Sequence, residues 1–94
     1  MKLSAFVDRL DNRLNTDAYS DVDASANGLQ VGPREATVDH AAFAVDAAAA
    51  TITDAADAGA DVLVVHHGLS WGGIERVTDR EYDRIAALIN NEIA

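Results

Sequence analysis

Two adjacent histidines, His66 and His67, close the aliphatic run Val62-Leu63-Val64-Val65 and are followed at once by Gly68. A neutral imidazole can ligate a metal, carry a proton or sit hydrogen-bonded in a core. Two of them at the end of a buried-strand pattern read as a pair delivered to a crevice, because ligands in an open parallel sheet bind outside the carboxyl ends of the strands. With a carboxylate nearby, two imidazoles suit zinc, iron or manganese, each ring holding one ion of a close pair or both holding one. Two structural, hydrogen-bonded histidines are the other reading of the same residues. Neighbouring side chains on a regular strand point to opposite faces, so convergence requires the strand to break at the pair. Gly68 permits that break.

Asp46 ends an earlier apolar run and stands at the same crevice edge. It can hydrogen-bond a ligating imidazole or cap the helix that follows. Asn27 and Gln30, in the stretch NGLQVGP, either line the cleft or belong to a turn that Gly28 allows. Trp71 reads as a lid over the histidines or as filler of a core gap, and His40, inside an apolar run, as a core or interface histidine. Arg76, Arg80 and Arg84 recur at four-residue spacing, as partners for a nucleotide phosphate or as a solvated face paired with acids. No P-loop or GxGxxG motif is present, and Ser70 has no nucleophile elbow around it.

The elements that must position these residues follow from periodicity. Leu3, Phe6, Val7, Leu10 and Leu14 recur at helical spacing, with Ser4 as a cap. A polar, Asp-rich stretch from Asn15 to Ala26 leads into a turn at Gly28 and a brief extended piece closed by Gly32-Pro33. Val38–Val45 reads as a strand apolar on both faces, Ala47–Ala58 as a helix ended by Gly59 in a left-handed conformation, and Val62–Val65 as a second strand. Together they predict a β-α-β unit with a right-handed crossover. Thr78 and Glu81 stand at capping-box spacing before a last helix with Tyr82, Ile85, Leu88 and Ile89 as its apolar stripe. The ending NNEIA reads as a helix end followed by the first residues of another strand, as in the N-terminal segment of a longer fold.

Composition narrows the function. A chain of 94 residues makes one small α/β domain, 1–94, burying only about 60% of its unfolded surface. Its net charge of -9 works against nucleic-acid backbones and anionic membranes as partners. Twelve aspartates against four glutamates, and Lys2 as sole lysine, suggest a halophilic, archaeal, cytoplasmic protein, in which molar salt screens self-repulsion. An acidic surface without that meaning, or one made for a basic partner, is the competing explanation. Without cysteine there is neither a disulfide nor a thiolate metal site. The first residues, MKLSAFVDRL, lack the long apolar core of a signal peptide, and no segment approaches the length of a membrane span.

The order and spacing of NGLQVG at 27–32, GADVLVVHHGLSW at 59–71 and the helix running into NNEIA resemble the start of the Nif-three-like dinuclear metal protein family, also called GTP cyclohydrolase I type 2. The resemblance covers essentially the whole chain. It implies a two-part α/β fold, often a ring-shaped homohexamer, with two metal ions held by paired histidines, an aspartate and a distant His and Glu. Only the paired histidines map here, onto His66 and His67, so the chain would hold two of about five ligands. Many relatives carry Trp-Asp-Asn where Ala24, Ser25 and Ala26 stand, leaving that motif's polar role unassigned. The reaction implied is hydrolytic opening of the GTP purine ring. The alternative is a non-catalytic metal- or partner-binding regulatory module.

Overall fold

The computed structural model describes residues 1–14, 28–69 and 76–94. Five elements follow in order: α1 (Leu3–Leu14), β1 (Ala41–Asp46), α2 (Ala49–Asp57), β2 (Val62–His67) and α3 (Asp79–Asn90). β1 and β2 pair in parallel, with Ala41 opposite Val62 and Asp46 opposite His67. The β-α-β unit read from the sequence is therefore present.

Side-chain alternation splits the core between the two faces of this sheet. Ile52 and Ala55 of α2 and Leu88 of α3 pack with Leu63, Val65 and Ala42 on one face. Leu3, Phe6 and Val7 of α1 pack with Val62 and Val64 on the other. Leu3 and Ile52 are fully buried, each side chain stabilising by about 1.5–3 kcal/mol.

α2 ends as its sequence predicts. Gly59 adopts φ 74, its N–H donates to Ala56 C=O, and Ala60 N–H donates to Ala55 C=O, both at 3.0 Å. This double bond pattern is the Schellman motif. α3 ends in the same way, with Ile93 N–H on Leu88 C=O at 2.8 Å and Glu92 N–H on Ile89 C=O at 3.1 Å. There the left-handed position, φ 56, is held by Glu92. The turn then sets Ala94 beside β2 with a parallel-ladder pattern, Ala94 N–H donating to Asp61 C=O at 3.0 Å and Leu63 N–H to Ala94 C=O at 2.8 Å. That is the strand-like continuation expected of NNEIA.

Several local expectations are corrected. The first strand starts at Ala41 and not at Val38, because the Asp39 and His40 N–H groups are taken by the Asp61 carboxylate at 2.9 and 3.1 Å. Its faces are not both buried: Phe43 is 68% and Val45 62% exposed, since α1 packs over β2 and leaves that side of β1 open. The brief strand expected between Gly28 and Gly32 does not form. The segment bends instead through positive φ at Gly28 and Gly32. At Gly32 the left-handed backbone is joined by crowding, because an added Cβ would come within 2.9 Å of Leu3 and Ala94 side-chain carbons. Ser4 lies inside the first turn of α1 and does not cap it. Thr78 occupies the cap position of α3 without a side-chain bond, and Glu81 engages Arg84 at 3.4 Å in place of completing a capping box. Tyr82 and Ile89 are exposed, so the inward face of α3 is rotated towards Arg84, Ile85 and Leu88.

Candidate functional site

β2 runs through both histidines and stops before Gly68. The pair is thus the last two residues of the strand, and not a break ahead of it. The ring centroids lie 4.6 Å apart with planes tilted by 49°, so the imidazoles adjoin at the carboxyl end of the sheet. His66 is exposed and His67 half-buried.

The register that sets Asp46 opposite His67 places the Asp46 carboxylate 2.8 Å from His67 Nδ1. Asp46 does not cap α2, whose cap position is Ala48 without a side-chain bond. A carboxylate on one ring nitrogen fixes tautomer and orientation, and Nε2 is then the nitrogen a metal would take.

Behind the pair, the turn of His67, Gly68 and Leu69 is gripped from two sides. Gln30 Oε1 accepts the Leu69 N–H at 2.8 Å, and the Gln30 side chain lies so close over Gly68 that a Cβ there would meet its Cδ and Nε2 at 3.0 Å. Gly68 has no positive φ, and a Cβ there would displace the Gln30 side chain from its bond to Leu69. Gly28, by contrast, is required by its φ of 105 with open space around it. From α3, Arg84 donates through Nη2 to Leu69 C=O and through Nη1 to Ala47 C=O, both at 3.3 Å. Beside the pair lies a cavity of about 190 Å³, lined by Phe6, Val7 and Leu10 of α1 together with Gln30, His66 and Leu69.

The structure therefore brings together His66, His67, Asp46, Gln30 and Gly68. His40 does not join them. It precedes β1 at the opposite end of the sheet and is exposed. Asn27 and Trp71 lie outside the described residues. Arg76 and Arg80 are exposed, while Arg84 is turned inward, a role that sequence reasoning missed. Its signal was the spacing of Arg84 four residues before the buried Leu88, which puts both on one helix face.

Chemically, two adjoining imidazoles with an orienting carboxylate fit part of a zinc, iron or manganese site. Among the described residues no three His, Cys, Asp or Glu groups converge to hold an ion, so the fit is to a partial donor set.

The family described as Duf34/NIF3 (NGG1p interacting factor 3) matches residues 1–94. The chain belongs to this family. A Duf34/NIF3 relative from Halobacterium salinarum named "GTP cyclohydrolase 1 type 2 homolog" is 57% identical over 94 residues, covering 100% of this chain and 36% of the relative. One of the same name from Treponema pallidum is 49% identical over 81 residues, covering 86% of this chain and 28% of its own length. The crystal structure of a Thermus thermophilus protein superposes with TM-score 0.90 at 34% identity, over 99% of this chain and 38% of that one. The chain thus spans about a third of the length of the Duf34/NIF3 proteins it matches. Among the described residues no helix is long and apolar enough to cross a membrane.

Proposed function

We propose that this chain supplies the paired-histidine part of a dinuclear site for zinc, iron or manganese, in a hydrolase-like protein whose reaction is opening of the GTP purine ring. The observation that carries this reading is the 2.8 Å contact between Asp46 and His67 Nδ1, the arrangement by which ligating imidazoles are usually oriented. The names of the relatives supply the substrate class. A bound ion pair would supply Lewis-acid polarisation and charge neutralisation. The residues' own work is positional: Asp46 accepts the His67 Nδ1–H and turns Nε2 outward, His66 presents the neighbouring ring, and Gln30 holds the turn behind both. On a chain of net charge -9, a nucleotide triphosphate meets repulsion that divalent cations offset.

Catalytic zinc sites typically use three protein ligands. These residues alone therefore bind an ion weakly and turn over no GTP, and on this reading the remaining ligands would come from the part of the relatives that this chain does not span. A cytoplasmic homo-oligomer belongs to the same proposal. A non-catalytic metal-binding regulatory module is the second reading, favoured by the lack of a third converging ligand among the described residues.

Calorimetric titration of the full chain with zinc and manganese, alongside chromatography of GTP, tests both readings. His67→Ala is expected to lose metal affinity by more than about 100-fold, beyond the ~10 to 100-fold range of supporting residues. Binding that His66→Ala and His67→Ala leave unchanged would exclude the site. Metal binding by a protein of complete relative length without GTP loss would favour the regulatory reading.

A further inference from the structure

We propose that Arg84 is a positioning residue for the histidine pair, its guanidinium clasping together the two loops that follow Asp46 and His67 at the strand ends. The proposal rests on the metal-site reading above and extends it to a residue on another element. Arg84 projects from α3 with its side chain only 14% exposed. Nη1 donates to Ala47 C=O at 3.3 Å, and Ala47 directly follows Asp46. Nη2 donates to Leu69 C=O at 3.3 Å, two residues beyond His67, and reaches Glu81 Oε1 at 3.4 Å. The loops also meet directly, Ala47 N–H donating to His67 C=O at 3.3 Å. Asp46 and His67 thus face each other across a gap that one planar fork spans from behind.

The chemistry favours arginine for this task. Two carbonyl oxygens from separate loops need two donors held rigidly in one plane, which a guanidinium provides and a lysine ammonium on its flexible stem does not. Charge-assisted bonds of this kind are roughly twice as strong as neutral ones. Gln30 holds the N–H side of Leu69 while Arg84 holds its C=O side, so the segment after His67 is fixed at both ends. With both terminal nitrogens engaged in the interior, Arg84 is withdrawn from the phosphate-binding role that its spacing with Arg76 and Arg80 suggests.

Burial of a charge makes a stability role alone a poor account of this residue. Replacing buried ionic groups by apolar ones of similar size is often neutral or stabilising, and Arg84 Nε is buried without a hydrogen-bond partner among the described residues. The clasp is explained by where it holds the loops.

The test is made on the full chain with Arg84→Met, Arg84→Lys and, as a control on the exposed side of α3, Arg80→Met. Zinc affinity is measured by chelator competition, thermal melting is recorded, and the His67 tautomer of the metal-free protein is read from ring nitrogen shifts at mildly alkaline pH. The expected result is a single Nδ1–H tautomer in the unaltered protein and in Arg84→Met a mixed one, with zinc bound ~10 to 100-fold more weakly, the range for residues supporting a ligand. Arg84→Lys, which retains charge and stem, falls between and serves if Arg84→Met does not fold. Arg80→Met matches the unaltered protein. A folded Arg84 variant with unchanged tautomer and affinity would overturn the proposal, as would a lowered Tm with both readouts intact. Absence of zinc binding in the unaltered protein would sink the metal reading, while the tautomer still decides whether Arg84 sets the ring.

Discussion

The two ends of the β1–β2 ladder each carry an aspartate, and the two are used differently. At the amino end Asp61 accepts the backbone N–H groups of Asp39 and His40 at 2.9 and 3.1 Å, and these bonds hold its carboxyl below the usual range. At the carboxyl end Asp46 meets an imidazole at 2.8 Å, while the backbone groups around it are held by Arg84 and by the neighbouring loop. One carboxylate takes donors that would otherwise turn to water. The other is released from that duty because the N–H that follows it, that of Ala47, donates to the His67 C=O, and so it is available to orient a ring. The difference separates a carboxylate that holds backbone at the sheet's edge from one that orients a histidine ring.

Replacing each in turn should break this contrast most sharply. Asp46→Ala is expected to lower metal affinity by ~10 to 100-fold with little change in Tm, since a side-chain contact this exposed contributes only about 0–1 kcal/mol. Asp61→Ala should lower Tm and leave metal affinity unchanged. It should also alter the acid limb of stability. A depressed folded pKa contributes stability that is complete above the unfolded value, near 4, and is lost as the pH falls through the lower folded value. Melting curves from neutral pH to below about pH 3 should therefore show a smaller acid loss in Asp61→Ala than in the unaltered protein. Equal effects of the two substitutions on metal affinity would erase the distinction.

Salt probes the same comparison from outside. Molar potassium chloride shortens the screening length to about 3 Å, which relieves the repulsion of a net charge of -9 but leaves direct hydrogen bonds at either end in place. The expected rise in Tm from low to molar salt is roughly 10 °C, about 2 kcal/mol at this chain length, and parallel in the unaltered protein, Asp46→Ala and Asp61→Ala. A flat salt response would remove the halophilic interpretation of the aspartate-rich composition.

How much of this was legible depends on the distance over which each feature is decided. The histidine pair at a strand end, the left-handed Gly59 and the inward face of α1 were readable, because each is set by residues within one turn or one strand. The start of β1 was not, since Asp61, more than twenty positions downstream of Val38, captures the backbone that would have extended it. Nor was the role of Arg84, which needs carbonyls from two loops brought together by the parallel register. The exposure of Phe43 and Val45 likewise depends on which strand α1 covers. The Asp46 contact lay between these cases: its place at the crevice edge was visible, and the choice between ring and helix cap was settled by register.

The smallest expected effect concerns the amino end alone. Both helices that return the chain to that end close with the same two hydrogen bonds, but α2 uses Gly59 at φ 74 and α3 uses Glu92 at φ 56. A left-handed conformation costs about 1–2 kcal/mol for a residue with a Cβ and little for glycine, whereas glycine loses more backbone entropy on folding, roughly 0.5–1 kcal/mol. The net gain from Glu92→Gly is therefore about 0.5–1 kcal/mol, or a few degrees in Tm. Removing one negative charge from a chain of net charge -9 acts in the same direction. Because Ile93 and Ala94 follow directly and pack against the core and β2, the gain should appear as a cooperative shift of the whole melting curve. Zinc affinity should stay unchanged, as the turn lies at the end of the sheet away from His66 and His67. A Glu92→Gly protein that melts lower than the unaltered chain would show that the Glu92 side chain holds a compensating contact. One that binds zinc differently would show that the two ends of the ladder are coupled.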